Sequence, residues 1–280
     1  MDDPFLEHVV EWAARQPDVR ALVMTGSRAR PAGPVDEASD YDLEVLTSDV
    51  GKYETDEWLA EIAPVWVYLP TTRSDESRYL TRLVVFADAV KVDFSFAPLE
   101  LLDEAVETQT LTPLYERGYR VLVDKDGLAA RLREPGFRPP ARALPTEAEL
   151  RASAEEFWFE ASHIPKLLRR NELWVVKLRD WIMKQRLLEM IEWHALAASD
   201  GERDVWHIGT RMAEWAEPGV WERLHEAFGG FGADGAWRAL LATTSLYSDL
   251  GRETAARLGY AYPVEADEAI TSYIERYGPG

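Results

Sequence analysis

Apolar and polar positions alternate in two different rhythms along this chain, and the change of rhythm divides it. In the first half, short apolar runs bounded by turn residues predict strands at Arg20–Thr25, Tyr41–Thr47, Val65–Leu69, Arg82–Ala87, Val90–Phe96 and Arg120–Val123. Helical spacing predicts short helices at 4–16, with Phe5, Val9, Trp12 and Ala13 on one side, and at 55–62, 99–107 and 110–117. The Ala87-Asp88-Ala89 break reads as a hairpin, so the sheet is expected to be mixed rather than wholly parallel. The Pro- and Gly-containing stretch 28–39 reads as a loop. In the second half strand signals nearly vanish, and helical periodicity runs through 146–170, 171–198, 205–215, 219–228, 234–258 and 264–277. The expected fold class is therefore α/β followed by all-α. The expected domains are 1–134 and 146–280, joined by a Pro-rich linker over 135–145.

Composition narrows the functional classes. The chain has 280 residues, no cysteine and a formal net charge of −19. Acidic residues exceed basic ones in both halves, which argues against a nucleic-acid binder, since that needs a basic footprint. The acidity serves solubility or attracts a polycationic ligand. Without cysteine there is no disulfide frame and no thiolate chemistry, which fits a cytoplasmic protein. The start Met1-Asp2-Asp3-Pro4 lacks the pattern of a signal peptide, and no apolar run reaches the ~20 residues of a membrane span. The five histidines show no metal-ligand spacing.

The candidate chemistry lies in the first half. Gly26-Ser27 closes the first strand, and Asp40-Tyr41-Asp42 follows Ser27 after twelve intervening residues. Asp93 is embedded in the apolar run Val92-Asp93-Phe94. Strand alternation puts Asp40, Asp42 and Glu44 on one face, with the pair exposed at the strand start. Asp93 joins that face if its strand is a neighbour. Carboxylates so gathered repel one another unless a cation neutralises them, and hard divalent cations such as Mg2+ take oxygen ligands together with substrate phosphates. Gly26 permits close approach of backbone to phosphate, Ser27 offers a hydroxyl, and Arg28 and Arg30 can offset phosphate charge. The Gly-Lys-Ser/Thr signature of a P-loop is missing.

Met24-Thr25-Gly26-Ser27-Arg28, Asp40-Tyr41-Asp42 and Val92-Asp93-Phe94 together resemble the nucleotidyltransferase superfamily, and more narrowly the aminoglycoside 6-adenylyltransferases, also called streptomycin adenylyltransferases. The resemblance continues through Glu156-Phe157-Trp158, the turn around Lys166, Glu192-Trp193 and Leu258-Gly259-Tyr260, and so covers most of the chain. It implies Mg2+-dependent transfer of AMP from ATP to a hydroxyl of an aminoglycoside, streptomycin first among them. Asp40 and Asp42 would then bind the metal, and Asp93 would complete that site or act as general base. Gly26, Ser27, Arg28 and Lys166 would hold the nucleotide. Glu156 and Glu160, one helical turn apart, would accept the drug's cationic groups. A lincosamide or other acceptor, or a non-catalytic nucleotide-binding role, are the competing readings.

Overall fold

The computed structural model describes residues 3–30, 39–69, 72–73, 78–137, 142–205 and 207–278. Most of the expected 28–39 loop, and 138–141 of the expected linker, lie outside the described residues. By internal packing the chain separates into two compact units, Met1–Pro140 and Ala141–Gly280.

The first unit is built on one mixed sheet of seven strands: β1 Val19–Thr25, β2 Tyr41–Thr47, β3 Val65–Tyr68, β4 Thr72–Arg73, β5 Leu80–Phe86, β6 Lys91–Pro98 and β7 Arg120–Asp124. The order is β3-β5-β6-β2-β1-β7, with β4 also on β5. β2 and β6 are parallel, which requires a crossover; β5 and β6 form the antiparallel hairpin. Helix α1, Pro4–Arg15, is capped by Asp3 and packs Val9, Trp12 and Ala13 on one face of the sheet. There Leu22, Met24, Leu43, Val45, Phe94 and Phe96 meet Tyr53 and Trp58, and Tyr53 stacks on Phe96 with ring centroids 4.1 Å apart. Burying aromatic surface on this scale is a major stabilising contribution.

The opposite face is covered as well. Ala21, Val23, Leu46 and Ala97 pack against Leu102 and Val106 of α2, Leu99–Thr108, and against Tyr115 of α3, Pro113–Glu116. This second layer changes the expectation for β2. The strand does not leave its carboxylates in open solvent: Glu44 is buried and Asp42 is half-buried. Two expected helices also shrink. Residues 50–61 form two 3-10 segments, Val50–Glu54 and Glu57–Glu61, and α3 is a single turn, since runs this short gain little from helix propagation.

The second unit is helical: α4 Glu147–Arg169, α5 Leu173–Ala198, α6 Met212–Trp215, α7 Val220–Ala227, α8 Ala233–Leu258 and α9 Val264–Arg276. A capping box of Thr146 and Glu149 starts α4. Its core joins Phe157, Trp158, Met183, Ile191 and Leu246, with Phe157 stacked on Tyr247 at 3.6 Å between centroids. Instead of a helix over 205–215 only α6 forms, because His207, Ile208, Gly209 and Arg211 take positive φ. No helix among the described residues is long and apolar enough to cross a membrane.

Candidate active site

The strand register brings the motif together. Asp42 of β2 lies directly opposite Asp93 of β6, and Thr25 of β1 lies opposite Asp42 on the other side. Asp40 precedes β2 by one residue, on the Asp42 face. The three aspartates expected from sequence thus meet at the ends of neighbouring strands. Burial raises the pKa of Asp42 above its ordinary value, and the charges of Asp93 and Asp40 raise it further; Lys91 and Arg30 act against them. Asp93 Oδ1 is buried and accepts no hydrogen bond.

Gly26 explains why the strand must end as it does. Its backbone sits at φ 69°, ψ −154°, a region that side chains make costly. A Cβ there would lie 1.7 Å from Asp42 Oδ2. The Asp42 carboxylate therefore rests directly on the Gly26 backbone, and Ser27 opens the 3-10 turn Ser27–Ala29 just beyond.

The two arginines after Ser27 divide their work. Arg28 donates from Nε to the Ser39 carbonyl at 2.9 Å, stacks over the Tyr41 ring at 4.0 Å and approaches Asp3 at 3.8 Å. It is tied to the Tyr41 side of β2. Arg30 is the one whose charge reaches Asp42. With Arg28, Arg120 and Phe137 it also lines a cavity of about 580 Å³ beside β7.

Sequence reasoning missed Lys91 as a site residue. Its Nζ donates to Asp40 Oδ2 at 2.5 Å and stands 3.3 Å from Asp93 Oδ1 and 3.4 Å from Asp93 Oδ2. Burial alone would lower the Lys91 pKa, but the Asp40 hydrogen bond and the two carboxylate charges carry it above its ordinary value. The available signal was its place two residues before Asp93, on the same strand face. Glu44, two positions past Asp42, faces inward between Tyr79 and Tyr115, and burial pushes its pKa up to about 7 while hydrogen bonds from both tyrosines oppose the rise.

The residues expected in the helical unit are placed less uniformly. Glu156 on α4 is exposed, 3.6 Å from Arg186. Glu160 is buried and accepts from Arg179 Nη1 at 2.8 and 2.9 Å. Lys166 is exposed within the last turn of α4. Trp158, within the Glu156-Phe157-Trp158 match, is core and donates from Nε1 to Tyr262 Oη at 3.0 Å.

Three acids gathered at neighbouring strand ends beside a glycine-serine turn are the arrangement a nucleotidyltransferase uses, an enzyme class that acts by placing phosphates. A family model described as streptomycin adenylyltransferase matches residues 2–277, and the chain belongs to that family. It is 25% identical to the aminoglycoside 6-adenylyltransferase of Bacillus subtilis (strain 168), over 98% of this chain and 96% of that one. It is also 25% identical to the enzyme of that name from Campylobacter jejuni, over 96% and 92%. A crystal structure of an aminoglycoside 6-adenyltransferase from Bacillus subtilis aligns over 98% of this chain and 97% of that one, at 21% identity and a TM-score of 0.46.

Proposed function

We propose that the protein transfers AMP from ATP to a hydroxyl of an aminoglycoside, streptomycin being the first candidate, with a divalent cation such as Mg2+. The observation that carries this reading is the Asp42–Asp93 register pair, with the Asp42 carboxylate seated on Gly26. The donor set fits a hard cation in kind, and buried Asp93 Oδ1 accepts no hydrogen bond, facing instead the charge of the Lys91 ammonium at 3.3 Å. Among the described residues no three acid or imidazole side chains form a ready-made cage, and Lys91 stands between Asp40 and Asp93.

In this reading Asp40, Asp42 and Asp93 hold the cation, which when bound would neutralise phosphate charge and orient the reacting oxygens. Ser27 and the Gly26 backbone bring the triphosphate close, and Arg28 fixes the turn that carries them. The acceptor hydroxyl forms a bond to the α-phosphorus as the bond to the β-bridging oxygen breaks. Pyrophosphate leaves with that electron pair, and the hydroxyl proton passes to Asp93.

Glu156, with only a long contact to Arg186, can exchange that arginine for a guanidinium of the drug. Glu160 serves the drug site through Arg179, which it holds in place. The domain reading follows: nucleotide chemistry in 1–134 and acceptor binding in 146–280. Pyrophosphate release from ATP and Mg2+ over a panel of aminoglycosides and lincosamides tests it. Release with streptomycin is expected, and release with no aminoglycoside would reject it.

A further inference from the structure

Three carboxylates crowded at strand ends must be compensated before any substrate arrives, and this chain does it with its own ammonium. Lys91 lies on β6 two residues before Asp93, so both side chains leave the same face. Its Nζ is 2.5 Å from Asp40 Oδ2 and 3.3 Å from Asp93 Oδ1, and its charge also acts on Asp42. Of the ammonium's three donors, two go to Asp40 Oδ2 and Asp93 Oδ2, on the carboxylates that flank the Asp42 position. The side chain is 40% exposed, so the head can turn away without unpacking the core.

We infer that Lys91 is a resident counter-cation that holds Asp40 and Asp93 in place in the metal-free enzyme and couples metal binding to nucleotide binding. This rests on the reading of the three aspartates as a divalent-cation site. A cation entering alone must take Asp40 and Asp93 from Lys91 and then lie beside a displaced positive charge. When nucleotide enters with it, the displaced ammonium gains phosphate oxygens as new partners. The cost of displacement then falls, and each ligand tightens the other by the same factor. Lys91 is in this sense a positioning residue: it acts on the carboxylates, and through them on the ion.

The test is Mn2+ affinity by electron paramagnetic resonance, with and without a non-hydrolysable ATP analogue, in wild type, Lys91→Met, Lys91→Gln and Asp42→Asn. Removing a unit positive charge a few Å from a divalent ion is expected to tighten Mn2+ alone on the order of tenfold. The added tightening caused by the analogue is expected to shrink by a similar factor. A residue that merely supported the strand would weaken Mn2+ binding when replaced, so weaker or unchanged binding in a folded Lys91→Met or Lys91→Gln variant would overturn the inference. Two variants of different shape guard against one failing to fold. Asp42→Asn separates the levels. If it binds Mn2+ as wild type does, the carboxylate site itself is wrong; if it loses Mn2+ while the Lys91 variants match wild type, only the role of Lys91 is wrong.

Discussion

Acidic residues are treated in opposite ways in the two units. In the helical unit the buried acids are each given a basic partner: Glu160 has Arg179, Glu192 has Arg142 and Asp267 has Arg252. At the ends of β2 and β6, Lys91 pairs with Asp40 and Asp93 and Arg30 acts on Asp42, yet Asp42 is held above its ordinary pKa and Asp93 Oδ1 accepts no hydrogen bond. One unit uses charge to fix helices, and the other keeps a local electrostatic deficit that a ligand can relieve. That deficit is costly in the free protein, which makes it the candidate place for the chemistry.

The sharpest way to break this comparison is Asp42→Asn. Removing one of three mutually repelling charges is expected to cost activity on the order of 10³-fold in kcat/KM. The unfolding midpoint should stay level or rise, because burial and repulsion already disfavour the charge there. Pyrophosphate release and thermal unfolding measure the two. Full activity would mean that Asp42 is no part of the machinery.

A glycine pair comes next. Gly26→Ala forces a side chain into a backbone region that costs about 1–3 kcal/mol, and displaces the Asp42 carboxylate. It should lose both stability and activity, with activity falling roughly 10²-fold through the misplaced carboxylate. Gly219, which starts α7 at φ 85° with open space around it, is the control. Gly219→Ala should lose roughly 1 kcal/mol of stability and keep its activity. Equal activity losses in the two would dissolve the contrast between units.

The same contrast explains how much was legible in the sequence. Gly26, Asp40, Asp42 and Asp93 stood out because each breaks a local rule: a glycine at a strand end, or acids inside or beside apolar runs. Strand alternation then supplied the shared face, and the parallel β2–β6 register brought it about. Lys91 was passed over because a lysine at an exposed strand position is ordinary; its meaning depends on Asp40, fifty-one positions away in sequence. The burial of Glu44 was equally hidden, since α2 and α3 cover that face through contacts that no local period reveals. In the helices, Glu156 and Glu160 look alike at one-turn spacing, and only α5 distinguishes them by presenting Arg186 to one and Arg179 to the other.

Glu156 and Glu160 therefore sharpen the comparison at smaller amplitude. Glu160→Gln leaves the Arg179 guanidinium with a neutral partner, and is expected to cost about 1–2 kcal/mol after allowing for the exposure of Arg179. Glu156→Gln should leave the unfolding midpoint unchanged and raise the KM for a cationic aminoglycoside a fewfold, as one exposed ion pair is worth about 0–1 kcal/mol. Denaturant unfolding and steady-state kinetics separate them. The assignment fails if Glu156→Gln binds the drug normally.

The smallest effect concerns pH and belongs to the helical unit alone. Burial raises the Glu192 pKa above its ordinary 4.5, and the Arg142 guanidinium only partly offsets it. The folded state therefore binds this proton more tightly than the unfolded chain does. The stabilising contribution is fully present below the unfolded value and is lost as pH rises through the raised folded value. Glu192→Gln cannot titrate, so its unfolding midpoint should fall less steeply than that of wild type as pH rises from about 4.5 toward neutrality. Thermal unfolding of both proteins in buffers across that range measures the difference in slope. Parallel curves would show that Arg142 fully compensates Glu192, and that the helical unit keeps no deficit of the kind found beside Gly26.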